Sequence, residues 1–140
     1  MLISPLISRL KDEVTPFARR VKLALSIEFI LSDMSEWPCG YVVMPMEKAD
    51  PNTLVNAVSQ KVTGRFSVIT AVSDQDDLEG VDNSAAMDAV RLAVNAALLN
   101  WVPSEGCTPV EFVGGGLVYS KDGLLLWKDD FTTEHYLRST

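Results

Sequence analysis

The chain has 140 residues, of which 47% are apolar, and a formal net charge of −7. This length favours a single domain spanning residues 1–140 with its own core, and the apolar content excludes a disordered chain. The acidic balance argues against nucleic-acid recognition, and no apolar run approaches the roughly 18 residues needed for a membrane span.

The N-terminal part is predicted to alternate short helices with an edge strand. Residues 1–5 lack the basic start and long apolar core of a signal peptide, so we expect a cytoplasmic chain. Ser4, as a capping residue before a proline, opens a predicted helix that Thr15 and the proline after it end. Apolar residues alternate with others over residues 19–25, which favours an edge strand. Ser26 is then expected to cap a second short helix over residues 27–31.

Two strands with a polar segment between them are predicted next. Residues 40–44 are typical of a buried strand, which we expect Pro45 to stop. Residues 46–60 are too polar for a core strand and long for a connection, so we expect them to be mobile or ordered only by a neighbouring chain. Residues 61–72 are the clearest strand. Its apolar face carries Val62, Phe66, Val68 and Val72.

Residues 82–101 form the clearest predicted helix. Its apolar residues recur three or four positions apart, which is typical of a helix with one buried face. They are Ala86, Val90, Ala93, Val94, Ala97, Leu98 and Trp101. Asn83 or Ser84 is expected to cap the helix, and Pro103 follows its end. At about 1.5 Å per residue it is long enough to cover a sheet.

The C-terminal part is predicted to be strands only. Residues 110–119 form a strand that the triplet 114–116 breaks or bulges, and the Asp-Gly pair at residues 122–123 is typical of a hairpin turn. A long strand over residues 124–138 follows. Together these elements predict an α+β fold: a single domain with a mainly antiparallel or mixed sheet of about four to five strands and helices packed on one face. Trp101, Phe66 and Trp127 should be buried.

The residues offer little catalytic or metal chemistry. His135 is the only histidine, and a lone histidine cannot make a histidine-based metal cluster. Asp129 and Asp130 point to opposite faces of a strand, so we interpret them as a charged edge or bend rather than a catalytic pair. Cys39 and Cys107 form no C-x-x-C pair, which indicates reduced thiols. The acidic loop lacks calcium-loop spacing, and the glycine triplet lacks a P-loop. We therefore predict no catalytic, cofactor-binding or metal-binding residues, and no enzyme.

Four segments carry a resemblance to a known family. They are residues 60–68 (QKVTGRFSV), 98–103 (LLNWVP), 110–117 (VEFVGGGL) and 126–134 (LWKDDFTTE). Over roughly residues 37–138 the chain resembles the tail terminator proteins of long-tailed bacteriophages and prophages. Among these it is similar to the Gp37-like terminators, which are related in architecture to the lambda tail terminator.

The resemblance implies a structural role. Such proteins are small domains that form a hexameric ring on the end of the tail tube, stop its polymerisation and offer the surface that joins the head. The partners implied are other copies of the chain, the tail tube protein and the head-tail connector protein, with no nucleic-acid sequence recognition and no membrane. The location implied is the host bacterial cytoplasm during assembly, and then the virion tail. The family has no catalytic residues to carry over.

A ring needs two unlike patches that meet head to tail, and the charges suggest a candidate pair. The basic patch would hold Arg19, Arg20 and Lys22, with Arg65 on the polar face of its strand. The acidic patch would lie in residues 74–82 and hold Asp74, Asp76, Asp77 and Glu79. The alternative is that both patches are merely solvated faces.

Other classes of function stay open on the sequence. One is a small cytoplasmic α+β ligand-binding domain or enzyme, which would show a deep pocket with convergent polar groups. Another is an acidic inhibitor or immunity-type protein, which would bind one basic partner as a monomer.

Overall fold

The structure, a computed structural model, describes residues 3–74 and 81–139. These residues form three α-helices and five strands, with a short 3-10 turn at Thr15–Phe17. In chain order they are α1 (Ser4–Glu13), β1 (Val21–Ala24), α2 (Ile27–Asp33), β2 (Cys39–Ala49), β3 (Ser59–Ser73), α3 (Val81–Leu98), β4 (Glu111–Lys121) and β5 (Leu124–Arg138). The predicted α+β class and the predicted order of elements are confirmed.

The strands form one mixed sheet in the order β1-β2-β3-β5-β4. β1 runs parallel to β2, and every other neighbouring pair is antiparallel. β3 and β5 pair along all fifteen of their residues, from Ser59 with Arg138 to Ser73 with Leu124. The strongest predicted strand is therefore central, and β1 and β4 are the two edges.

Helices cover both faces of the sheet. α1 and α3 pack on one face, where Leu10, Phe66 and Leu98 belong to the main core. α2 packs on the other face, where Ile30 joins a second core with Ile69. The sequence predicted that all helices pack on one face of the sheet, but α2 packs on the opposite face. The reason is that β3 is apolar at consecutive positions near its C-terminal end, so both of its faces need cover.

β2 continues through Pro45, which we expected to stop it. The register shifts between Val43 and Met46, where two residues of β2 oppose one residue of β3. A proline has no N–H to donate, and a bulge tolerates this loss because the ladder is already interrupted there. Residues 46–49 therefore belong to β2, and the connection to β3 is shorter than the sequence suggested.

The β2–β3 connection, residues 50–58, is exposed and organised by one side chain. Nδ2 of Asn52 donates to the carbonyl of Ala57 at 2.9 Å, and its Oδ1 accepts from the amide of Ser59 at 3.0 Å. The apolar side chains of Leu54 and Val55 remain exposed. Local polar contacts rather than apolar burial thus shape this connection.

We expect the tip of this connection to exchange its amide hydrogens fast in the isolated protein. Within residues 3–74 and 81–139, no hydrogen bond holds the amides of Val55 and Asn56, and open amides exchange without an unfolding step. Exchange followed by NMR should show protection in β3 and none at these amides. Strong protection across residues 54–58 in a monomer would contradict this.

The helix ends agree only partly with the sequence. Ser26 caps α2 as predicted, with its Oγ accepting from the amide of Phe29 at 3.1 Å. Ser4 is the first residue of α1, and Ile3 holds the N-cap position without a side-chain bond. Asn83 is not a cap, because it lies inside α3 and its Nδ2 donates to the carbonyl of Gly123 at 2.6 Å. Its side chain instead ties α3 to the β4–β5 hairpin.

The buried face of α3 is turned slightly from the predicted one. Ala86 is exposed and Met87 is buried, while Val90, Val94 and Leu98 are buried as expected. The buried residues are three or four positions apart, so the predicted helical period is correct. The one misassigned position is Ala86, whose predicted place on the buried face is taken by Met87.

Of the three aromatic residues predicted to be buried, only Phe66 is. Trp101 and Trp127 are partly buried, because each leaves a ring face for a guanidinium group. Arg9 lies 5.4 Å from the centre of the Trp101 ring and Arg91 lies 4.3 Å from that of Trp127. The rings are thus covered in part by polar groups that reach solvent.

The β4–β5 hairpin has the predicted Asp-Gly turn. Asp122 and Gly123 both have positive φ, 52° and 80°, as a two-residue hairpin turn of the favoured type requires. The strand is not broken at the glycine triplet, and the predicted bulge is found beside it: the register shifts on either side, between Phe112 and Gly114 and after Leu117. β4 is therefore one long strand with two irregularities.

Candidate functional site

The predicted basic patch gathers at the start of β1, where each charge has an intrachain partner. Arg19 pairs with Asp12 at 2.7 Å, and Lys22 pairs with Asp33 at 3.1 Å. The guanidinium of Arg20 donates to the carbonyl of Pro38 at 2.9 and 3.1 Å. Together the three basic residues line a shallow cavity of about 290 Å³. The structure brings them together, but their charge is partly neutralised within the chain.

Tyr41 and Cys39 lie beside this cavity on β2. The hydroxyl of Tyr41 donates to Oδ2 of Asp33 at 2.8 Å. That bond, with the bond from Lys22, lowers the pKa of Asp33 below its usual value. Burial, with the bond to Asp33, raises the pKa of Tyr41. Burial also raises the pKa of the Cys39 thiol to about 11, so this thiol is protonated at neutral pH and does not act as a nucleophile.

We expect one reactive thiol in the native protein. At about pH 8 the buried Cys39 stays protonated, because its raised pKa lies well above that pH, whereas Cys107 is partly exposed. Titration with a coloured disulfide reagent should therefore report one fast thiol in the folded chain and two in denaturant. The Cys107→Ser variant is the control and should lose the fast phase. A fast phase that persists in this variant would contradict the burial of Cys39.

Arg65 and Asp74 lie elsewhere on the sheet. Arg65 is exposed in the middle of β3, and Asp74 follows the end of that strand, with its amide donating to the carbonyl of Gly123 at 3.0 Å. At about 3.4 Å per residue they are roughly 30 Å apart. Asp76, Asp77 and Glu79 lie outside the described residues. Arg65 pairs with Met46, beyond the part of β2 that pairs with β1, so the structure does not unite Arg65 with the rest of the basic patch.

A buried ion pair lies between α3 and the sheet. Asp129 accepts from Nε and Nη2 of Arg91 at 3.0 and 2.9 Å, and from Nε1 of Trp127 at 3.0 Å. The Asp129 carboxylate raises the pKa of Arg91 above its usual value. Asp130 is on the opposite face, as predicted, where it bonds Ser67 and lies 3.8 Å from Lys128.

The expectation of a charged edge at Asp129 is wrong. β4 pairs beyond β5, so Asp129 lies inside the sheet with a side chain only 1% exposed. Sequence reasoning missed its partner, because nothing in the pattern of α3 marked Arg91 as facing the sheet. The pair joins the helix to the sheet, with the carboxylate 1% exposed and the guanidinium side chain 22% exposed.

His135 lies beside a second shallow cavity, of about 270 Å³, that also contains Cys107 and Arg138. The Sγ of Cys107 lies 3.2 Å from Oγ of Ser104. Among residues 3–74 and 81–139, no hydrogen bond joins His135 to a nucleophile, and no group of three acidic, histidine or cysteine side chains could hold a metal ion. In the same residues, no helix is long and apolar enough to cross a membrane.

The outer edge of β4 carries an exposed apolar surface. Its side chains at Phe112, Val113, Leu117 and Val118 are large, apolar and exposed. Its only charged residues are Glu111 and Lys121, at its ends. An edge strand presents unpaired backbone N–H and C=O groups, and charged or proline residues usually protect such an edge from pairing. The centre of β4 lacks this protection.

The opposite edge of the sheet is formed by two strands. β1 pairs with β2 only as far as Ala24 and Val43, so the outer side of Met46–Ala49 has no strand beside it among the described residues. Leu23, Leu25 and Met46 are exposed along this edge. The sequence identified β1 as an edge but gave no sign that β4 was the other, because strand order is not a local property.

Comparisons with known proteins agree with this architecture. A family model described as "Phage tail terminator protein" matches residues 1–140. Among solved structures, a chain from "Virion of native gene transfer agent (GTA) particle" has a similar fold: the TM-score is 0.64 at 15% identity, over 97% of this chain and 95% of that chain. A comparison with curated proteins finds no match.

Proposed function

The chain belongs to the phage tail terminator family, and from this premise we propose that it caps the end of a phage tail tube as a ring. In this role it stops tail polymerisation and forms the surface that joins the tail to the head. The family match along the whole chain carries the proposal. The family is one of structural tail proteins, and we propose no enzymatic activity and no cofactor.

The exposed surfaces suit a protein that works by contacts. A closed ring needs a patch on one subunit that meets a different patch on the next, and the two open sheet edges are unlike. The partners proposed are further copies of the chain, in a hexameric ring, the tail tube protein and the head-tail connector protein. Assembly would take place in the host bacterial cytoplasm and leave the protein in the virion tail, as one domain of residues 1–140.

The two charged patches are a further candidate for contacts in the ring. The basic patch at the start of β1 is assembled in the fold, although its three charges have intrachain partners. Exposed ion pairs contribute about 1 kcal/mol or less each. We therefore propose that Asp74, Asp76, Asp77 and Glu79 of one subunit influence register more than affinity.

Electron microscopy of tail tubes mixed with the protein tests the proposal. We expect rings on one end of the tubes and a halt to further growth when tube protein is added. Sedimentation over a range of protein and salt concentrations would give the size of the free assembly. A protein that never caps tubes, and binds only a small molecule or one basic partner as a monomer, would contradict it.

Reversing Asp76, Asp77 and Glu79 to lysine tests the charged contact separately. If this contact sets register, the variant should form fewer rings, and the deficit should shrink at high salt because exposed charges are screened. Rings that survive the reversal unchanged would leave the function in place and remove the charged patches from the interface.

A further inference from the structure

We propose that neighbouring copies of this chain join edge to edge through their sheets. The outer edge of β4 in one copy pairs antiparallel with β1, and with the open part of β2, in the next copy. This inference rests on the proposed ring and names its interface. It commits to a second copy of the chain as the occupant of the β4 edge.

Strand directions support this pairing. β2 is antiparallel to β3, β3 to β5 and β5 to β4, while β1 is parallel to β2. It follows that β1 and β2 run opposite to β4. A second copy placed beside the first so that the sheet continues therefore brings antiparallel strands together, which is the slightly more stable kind of pair.

The two edges also lie at the same level of the sheet. Rows of paired residues cross all five strands and connect one edge to the other. One row is Val21, Gly40, Thr70, Trp127 and Leu117, and another is Ala24, Val43, Ser67, Asp130 and Gly114. β1 is thus level with the part of β4 from Leu117 to Gly114. Beyond β1, Met46 is level with Glu111 by the same pairings.

The side chains along both edges suit an apolar contact. Leu117 is 52% exposed on β4, and Leu23 and Leu25 are 37% and 69% exposed at β1. Leu23 pairs with Val42 and Leu117 with Trp127, so the parity of the strands places both side chains on the face covered by α1 and α3. They would therefore lie on the same face of a joined sheet.

The glycine triplet leaves room beside the centre of β4. A Cβ added at Gly114 or Gly116 would meet no atom within 4 Å. Small residues there let a neighbouring strand and its side chains approach closely. Gly115 has another role, since a Cβ there would meet Trp127 and Asp129 within the same chain.

Pairing with a second copy of the chain would cover both open edges of the sheet. The alternative occupants of the β4 edge would leave the edge formed by β1 and β2 uncovered. An added peptide strand would cover β4 and leave the matching edge of β1 and β2 unexplained. A β4–β4 pair is isologous, so it would close at two copies and could not propagate around a ring. Pairing of β4 with β1 and β2 is head to tail and can close into a ring.

Cross-linking tests the interface directly. The variant carries Leu23→Cys and Leu117→Cys with Cys107→Ser, while the buried Cys39 is kept because it should not react. A short bifunctional maleimide, applied to rings on tubes or at high concentration, should give a ladder of covalent oligomers that ends at the ring size. Two controls use the same background. Leu117→Cys alone should give no ladder, and Leu117→Cys with Leu92→Cys, at an exposed site on α3, should give none either.

A second pair of variants tests the edge without cross-linking. Leu117→Lys with Val118→Lys places charges on the open edge and should raise by about tenfold or more the concentration at which rings form. Leu92→Lys with Leu99→Lys makes the same change on exposed positions of α3 and the turn after it, and should leave ring formation unchanged. Circular dichroism would confirm that both variants are folded.

The outcomes separate this interface from the proposed function. A ladder of covalent oligomers from the variant with Leu23→Cys and Leu117→Cys, and from neither control, supports the pairing. Rings that form without that ladder, or that tolerate the lysines on β4, overturn the pairing and leave the capping function intact. Covalent dimers from Leu117→Cys alone also overturn it, because they indicate a β4–β4 contact. If the protein neither caps tail tubes nor gives a ladder of cross-linked oligomers, both the pairing and the proposed function are overturned.

Discussion

Replacing Phe131 with alanine should lower the free energy of unfolding by about 3–5 kcal/mol. The Phe131 side chain is fully buried. Its ring stacks on that of Phe66 with centres 5.5 Å apart and meets the edge of Phe112 at 5.7 Å. Truncation removes these contacts and leaves a cavity between the central strands and the helices, which the sheet cannot close because its backbone is held on both sides. Unfolding in urea, followed by tryptophan fluorescence, measures the change.

Phe112 is the matched control on the neighbouring strand. It belongs to the same aromatic cluster but is 43% exposed at the edge of β4. Phe112→Ala should cost about 1.5 kcal/mol or less, because much of its surface already contacts water. Equal losses for the two variants would show that the core is not centred on the pair of Phe131 and Phe66.

Replacing Asp129 with alanine should cost about 3–5 kcal/mol, because it leaves the guanidinium of Arg91 without its bidentate partner. The carboxylate is 1% exposed and the Arg91 side chain 22%, so little water can replace the lost bonds. The same variant removes the acceptor of the Trp127 indole N–H. Thermal and urea unfolding would measure the loss.

Two further variants show where that energy comes from. Asp130→Ala, on the other face of β5, should cost less, about 1–2 kcal/mol, because it loses one hydrogen bond from Ser67 and a solvent-accessible pairing with Lys128. The double variant Asp129→Leu with Arg91→Met should regain much of the stability lost by Asp129→Ala, since no unpaired charge remains. A double variant less stable than Asp129→Ala would contradict this account.

Local patterns were enough to predict the kinds of element and their order. The 3.6-residue period found α3, the alternation found β3, and the Asp-Gly pair at residues 122–123 found the hairpin turn. Ser26 was identified as a cap because its side chain bonds to a residue three positions away. All of these depend on contacts between residues close in sequence.

The misassigned positions depended on distant parts of the chain. Asn83 bonds Gly123 rather than its own helix end, and Asp129 bonds Arg91 rather than solvent. Pro45 stays inside β2 because β3 holds the strand on either side of a bulge. Each partner is distant in sequence, so no local pattern could indicate it.

The sequence by itself determined that this protein is an acidic α+β chain with the segments of a tail terminator. Only the tertiary structure decided which strands are edges, which face α2 covers and which charges are paired. Strand order sets the exposed backbone, and it results from packing the apolar faces of all the elements together rather than from any one of them. The surfaces open to a neighbouring subunit are therefore a property of the whole fold.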